Sequence, residues 1–185
     1  MYTGPITIRK TVTLKAKAVR GDLDAGGTAT ASFAVVEEYR PAQTVTDAKK
    51  GLKYSYLERQ SFNRPEHILE PPLKSGLVSS IDIGVREREQ FYLLQFEGFI
   101  KIPITGKYRF TVFSNATTVY IDDELFSSDH GLLPTEKVQD ICLEAGYHAV
   151  RIVSCVLTEQ VHELELYWEG PGTTKQKIPQ SVFFH

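Results

Sequence analysis

The sequence is poor in the residues from which staples and reactive centres are usually built. Two cysteines in 185 residues, Cys142 and Cys155, exclude a disulfide-scaffolded mini-protein. They flank an expected hairpin turn at Glu144-Ala145-Gly146-Tyr147. If Leu143 pairs with His148, Cys142 faces Ala149, and Cys155 lies roughly 20 Å further along that strand, beyond disulfide reach. Two packed, reduced thiols are therefore expected. The five histidines, His67, His130, His148, His162 and His185, are scattered, with no pair at metal-ligand spacing, so a structural zinc site has no basis. No serine stands in a Gly-x-Ser-x-Gly elbow, and no glycine-rich phosphate loop occurs. Nothing in the pattern makes this chain an enzyme. No run approaches the ~20 apolar residues of a membrane span. The start, Met1-Tyr2-Thr3-Gly4-Pro5, lacks a charged-then-apolar signal segment. The net charge of −2 supplies no basic field for nucleic acid.

What the chain does have is two-residue alternation. Thr11 to Val19 places Val12, Leu14, Ala16 and Ala18 on one face, and Ala29 to Val36 is a second β-compatible run. Gly21 to Gly27 reads as the turn between them. Two strands cannot close a core, so residues 1–38 are expected to be part of a small β-sandwich whose other half lies upstream, in a longer protein. Glu37 to Lys50 is polar, contains a proline and has no apolar stripe; a linker is expected over 39–50.

From Gly51 to His185 the strands come more densely: Gly51 to Leu57, Phe91 to Ile102, Lys107 to Phe113, Val119 to Ile121, Val138 to Leu143, Ala149 to Leu157 and Glu163 to Trp168. Prolines at 65, 71 and 72 and Gly76 break the chain between the first two, and Gly98 marks a bulge or bend. Tyr108, Phe110 and Val112 share a face. Trp168 alternates with Leu164 and Leu166, which puts it in the core rather than on a sugar platform. Gly170-Pro171-Gly172 stops that strand, and Val182 to Phe184 looks like a closing segment. Arg86-Glu87-Arg88-Glu89 is a solvated run. Many short strands at turn-punctuated spacing, with no helical stripe, predict an all-β sandwich or barrel.

Ser114 to Gly131 concentrates oxygen-bearing side chains on expected loops. Asn115, Asp122, Asp129 and His130 are the candidate ligand-binding residues, because calcium takes six to eight hard oxygen ligands and sugar hydroxyls seek the same groups. Against this, polar loops are also how β-proteins meet water, and Asp122-Asp123 is a turn-forming pair.

The ordered series Gly51-Leu52-Lys53-Tyr54-Ser55-Tyr56, Phe96-Glu97-Gly98-Phe99-Ile100-Lys101-Ile102-Pro103, Gly106-Lys107-Tyr108-Arg109-Phe110, Val119-Tyr120-Ile121-Asp122, Leu143-Glu144-Ala145-Gly146-Tyr147-His148, Tyr167-Trp168-Glu169-Gly170-Pro171-Gly172 and Ile178-Pro179 resembles the protective-antigen-like domain over about residues 50–185. The resemblance implies a β-barrel or sandwich that binds carbohydrate or another ligand as a non-catalytic accessory module. Tyr2-Thr3-Gly4-Pro5-Ile6 with Thr11-Val12-Thr13-Leu14-Lys15-Ala16 is similar to the second half of a chitobiase/β-hexosaminidase C-terminal domain. Together these likenesses imply a secreted, periplasmic or cell-surface bacterial glycoside hydrolase, of the β-N-acetylhexosaminidase kind. Its catalytic domain would lie upstream, and glycans or that domain would be the partners; a structural spacer that packs on the parent enzyme is the alternative. Sugar-binding members of the first family hold calcium with paired aspartates. The corresponding stretch here, Ser114-Asn115-Ala116-Thr117-Thr118, lacks both, leaving Asn115 and Asp129 as the candidate metal ligands.

Overall fold

Alternation of apolar and polar side chains builds both compact units of the chain, Met1–Glu38 and Tyr39–His185. The computed structural model describes residues 4, 6, 11–20, 23–33, 38–58, 71–158 and 160–185. The readings that fall on Tyr2, Thr3, Pro5, Gly21, Asp22, 34–37, Pro65 and His67 lie outside the described residues.

In the first unit β1 (Val12–Arg20) pairs antiparallel with β2 (Leu23–Phe33). The pairing puts Val12, Leu14 and Ala16 beside Phe33, Ala31 and Ala29 on one face, and Thr13, Lys15 and Lys17 beside Ser32, Thr30 and Thr28 on the other. β2 starts earlier than its composition predicts. Gly26 and Gly27 lie inside it, where the register shifts between Lys17 and Val19. Glycines that read as a turn here accommodate an irregularity within a strand.

Among the described residues the second unit has eleven strands: β3 (Leu52–Glu58), β4 (Lys74–Val78), β5 (Tyr92–Ile102), β6 (Gly106–Ser114), β7 (Thr117–Ile121), β8 (Glu124–Asp129), β9 (Thr135–Leu143), β10 (Gly146–Val156), β11 (Leu164–Gly170), β12 (Thr173–Lys177) and β13 (Phe183–Phe184). They form two open sheets packed as a sandwich, not a closed barrel. One runs β4-β3-β5-β10-β7-β8, with β13 added to β5; the other runs β12-β11-β6-β9. The sandwich is all-β, as the alternation predicts. Its core lies between the sheets, with Tyr108, Phe110 and Trp168 from the smaller sheet facing Phe96, Val119 and Ile152 from the larger. Trp168, 3% exposed, stacks on Tyr108 with ring centroids 5.7 Å apart, so it is a core residue. Side chains of this size stabilise by about 1.5–3 kcal/mol each when fully buried.

The chain crosses between sheets repeatedly, and one crossing corrects the sequence reading. β9 belongs to the smaller sheet and β10 to the larger, so Glu144–Tyr147 is a corner rather than a hairpin turn. Cys142 lies beside Lys107, and Cys155 beside Leu93. The two cysteines thus sit in different sheets and are not bonded to each other. True two-residue hairpins occur where the backbone can twist. Asp122 and Asp123, with φ of 52° and 61°, join β7 to β8 in the positive-φ pattern of a type I′ turn.

Gly98 sits where the edge of β5 changes partner, from β3 up to Glu97 to β13 at Phe99 and Ile100. A Cβ there would lie 2.2 Å from the Phe184 carbonyl oxygen, so only glycine admits β13.

Residues 39–50, expected as a linker, are held along the second unit. Arg40 N–H donates to the Cys142 carbonyl (2.9 Å), and its own carbonyl accepts from Glu144 N–H (3.0 Å). Gln43 N–H donates to Tyr147 O (2.8 Å), and Lys49 and His185 exchange backbone bonds of 3.0 and 2.8 Å. A segment without a strand or helix of its own satisfies its backbone on its neighbours.

Candidate functional site

Strand ends gather three of the four candidate residues at one pole of the sandwich. Asn115 and Ala116 form the crossing from β6 to β7, with Ala116 at φ 51°. Asp129 ends β8 beside Thr117, and His130 follows it. Residues 160–163, which lead into β11, arrive at the same pole. Asp122 lies at the other end of β7, about five residues and ~17 Å away, and does not join them.

Asn115 is fully buried and its carboxamide ties three loops together. Its Nδ2 donates to the carbonyls of Leu132 (3.2 Å) and Val161 (2.8 Å), while its Oδ1 accepts from Glu163 N–H (3.0 Å). Asp129 is buried too. Its carboxylate accepts from Gly131 N–H (2.7 Å) and from the Thr135 hydroxyl, with the Lys137 ammonium 3.9 Å away. Burial opposes its charge, yet the Thr135 and Gly131 donors, with Lys137 and His130, hold its carboxyl below the usual range. His130 is exposed, with Nε2 3.0 Å from the Ser128 hydroxyl.

These residues do not fit a calcium ion. The Asn115 oxygen already accepts from a buried N–H, and Ala116 offers no side-chain oxygen. Asp129 is surrounded by donors and a lysine rather than by further oxygens. Among the described residues no group of three or more His, Cys, Asp or Glu is placed to hold a metal. The surface of this pole is instead aliphatic: Leu132, Leu133 and Val161 are 62%, 77% and 71% exposed.

Asp122 does structural work at the opposite pole. Its carboxylate accepts from His148 Nδ1 (2.8 Å), Ala149 N–H (3.0 Å) and Gln43 Nε2 (3.2 Å). His148, with no exposure, donates its other ring nitrogen to the Glu144 carbonyl (2.9 Å). Arg40 completes this corner, donating to the Ile121 carbonyl (2.7 Å) and pairing with Glu124 (2.5 Å). Burial lowers the His148 pKa, but the Asp122 carboxylate and the Glu144 carbonyl outweigh it, and the net shift is upward.

Sequence reasoning missed both histidine networks, His148 with Asp122 and His162 with Tyr92 and Thr117. Their partners lie 26, 70 and 45 residues away, on strands whose adjacency comes from the sandwich topology.

Comparison with known proteins agrees with this architecture. The sequence profile of the PA14 domain matches residues 48–181. An anti-sigma factor domain-containing protein from Clostridium clariflavum is similar at 22% identity and a TM-score of 0.60, over 87% of this chain and 57% of that one. The present chain thus spans a little over half the length of that relative. The PA14 domain of the MpAFP antifreeze protein superposes with a TM-score of 0.59 at 12% identity, over 78% of this chain and 95% of that one. The Epithelial Adhesin 6 A domain from Candida glabrata, crystallised with Galb1-3GlcNAc, gives 0.55 at 14% identity, over 76% of this chain and 88% of its own. No curated protein matches by sequence. With the profile covering most of the second unit, the chain belongs to the PA14 domain family.

Proposed function

We propose that this chain is a non-catalytic carbohydrate-binding accessory region of a secreted glycoside hydrolase of the β-N-acetylhexosaminidase kind, and that it engages glycans without calcium. Membership of the PA14 family carries the reading. The likeness to an adhesin domain crystallised with a disaccharide supports the ligand class and an extracellular setting. The first unit, whose sequence is similar to half of a chitobiase C-terminal domain, motivates the parent hydrolase. His130 and Ser128 are among the exposed polar groups of the described residues at the loop pole that would meet a sugar.

A second reading, a structural spacer that docks on the parent enzyme and binds no sugar, is favoured by one observation. Asn115 and Asp129 are both engaged internally, and the pole presents Leu132, Leu133 and Val161.

Thermal melts with calcium, EDTA, GlcNAc, galactose and Galβ1-3GlcNAc separate the two. A sugar at 100 times its dissociation constant should add about 2.7 kcal/mol, insensitive to EDTA and reduced in His130→Ala. No shift with any sugar leaves the spacer reading, and a sugar shift that EDTA abolishes overturns the calcium-free one.

A further inference from the structure

The loop from β10 to β11 is held by three consecutive residues. Val161 and Glu163 bind Asn115 through their backbones, and between them the imidazole of His162 is buried. His162 Nδ1 lies 2.6 Å from the Tyr92 hydroxyl, and Nε2 lies 3.3 Å from Thr117 Oγ1. The hydroxyl proton of Thr117 points to the Asn115 carbonyl (3.0 Å), so Thr117 can only accept from the ring. Ser154, 3.0 Å away, is the other donor to Thr117. Nε2–H then donates to Thr117, and in the neutral ring Nδ1 accepts the Tyr92 hydroxyl proton, so the neutral imidazole uses both nitrogens.

The groups facing it come from five places. Tyr92 belongs to β5 and packs against Tyr56 of β3 with ring centroids 6.0 Å apart; Tyr56 in turn donates to Glu58. Arg86 and Glu89 form a 2.7 Å pair in the segment before β5, and Thr117 and Ser154 come from β7 and β10. Among the described residues neither ring nitrogen has a carboxylate partner, in contrast to His148.

We propose that His162 is an acid-sensitive latch on residues 160–163, the segment that leads into β11. A proton on Nδ1 takes from the Tyr92 hydroxyl its acceptor: the phenol oxygen must turn to accept from the ring, the buried imidazolium has no carboxylate at either nitrogen among the described residues, and the segment leaves Asn115. The proposal does not depend on glycan binding. Burial, then the Arg86 charge, with Glu89 opposing, hold the ring down at about 4. An opened loop restores the ordinary histidine value near 6.5. The latch is therefore closed at neutral pH, and its opening equilibrium should rise about 20-fold between pH 7 and pH 5.

Amide exchange of the full chain, followed by NMR at pH 7 and pH 5 and corrected for intrinsic rates, tests this. The expected result is that Glu163 N–H loses protection about 20-fold while the β5 and β10 amides keep theirs. Unchanged protection at Glu163, or equal loss throughout the second unit, overturns the latch. His162→Gln, which keeps a donor and an acceptor but takes no proton, should make Glu163 exchange independent of pH. If that variant fails to fold, the ring titration in the native chain decides: a value near 4 supports the latch, and one at or above 6.5 overturns it.

Discussion

His148 in β10 and His162 in the loop before β11 are one residue type put to opposite chemistry. Both imidazoles are buried, but His148 meets acceptors at both nitrogens, so its protonated form is the one the fold holds. Its pKa is raised in the folded chain, and its contribution to stability is complete below the ordinary value of about 6.5. That contribution is lost as the pH rises through the folded value. Urea unfolding from pH 6 to pH 9 should show this decline. His148→Asn should remove most of the slope and lower stability at pH 6 by about 3 kcal/mol, since Asp122 is left without its charged partner. A variant that unfolds with the native pH slope would show that another group is responsible. His162 acts with the opposite sign and in a lower window: its neutral form is favoured, and stability falls as the pH drops from about 6.5 toward 4.

At the scale of elements, β5 carries the larger sheet. It pairs with β10 along its whole length and with β3 and β13 in turn along the other edge. Gly98→Ala would force Phe184 away from β5 and withdraw Phe183 from the core, a loss of about 2–4 kcal/mol. Equilibrium denaturation would read it, and a loss below about 1 kcal/mol would mean that β13 shifts without penalty. Gly98 was visible in the sequence as a break in a long strand, because a glycine inside an alternating run stands out. The strands around it were legible for the same reason: Tyr108, Phe110 and Val112, or Leu164, Leu166 and Trp168, keep strict two-residue spacing. β8 and β12 were not, since Glu124–Asp129 and Thr173–Lys177 are edge strands with one side in water and no apolar alternation. The site was less legible than the fold. Oxygen-rich residues mark a loop pole correctly in Asn115, Asp129 and His130, but residue type does not tell whether a carboxamide faces solvent or ties three loops together.

For the whole molecule, the polar stretch before β3 is part of the second unit. Polarity was read as a linker because Tyr39 to Lys50 has no apolar stripe, yet its backbone groups are satisfied by the corner at 142–147 and by His185. A chain beginning at Tyr39 should melt like the second unit of the full protein. One beginning at Gly51 should lose about 5 kcal/mol, from five backbone bonds worth ~1 kcal/mol each net. Calorimetry of the two fragments measures the difference, and equal melting would show that the strap adds nothing. The paired backbone bonds between Lys49 and His185 have one more consequence. They clamp the residues just before β3 to the residue just after β13, so force applied at Lys49 and His185 would open the two bonds one after the other, as a zipper does, before it reached either sheet.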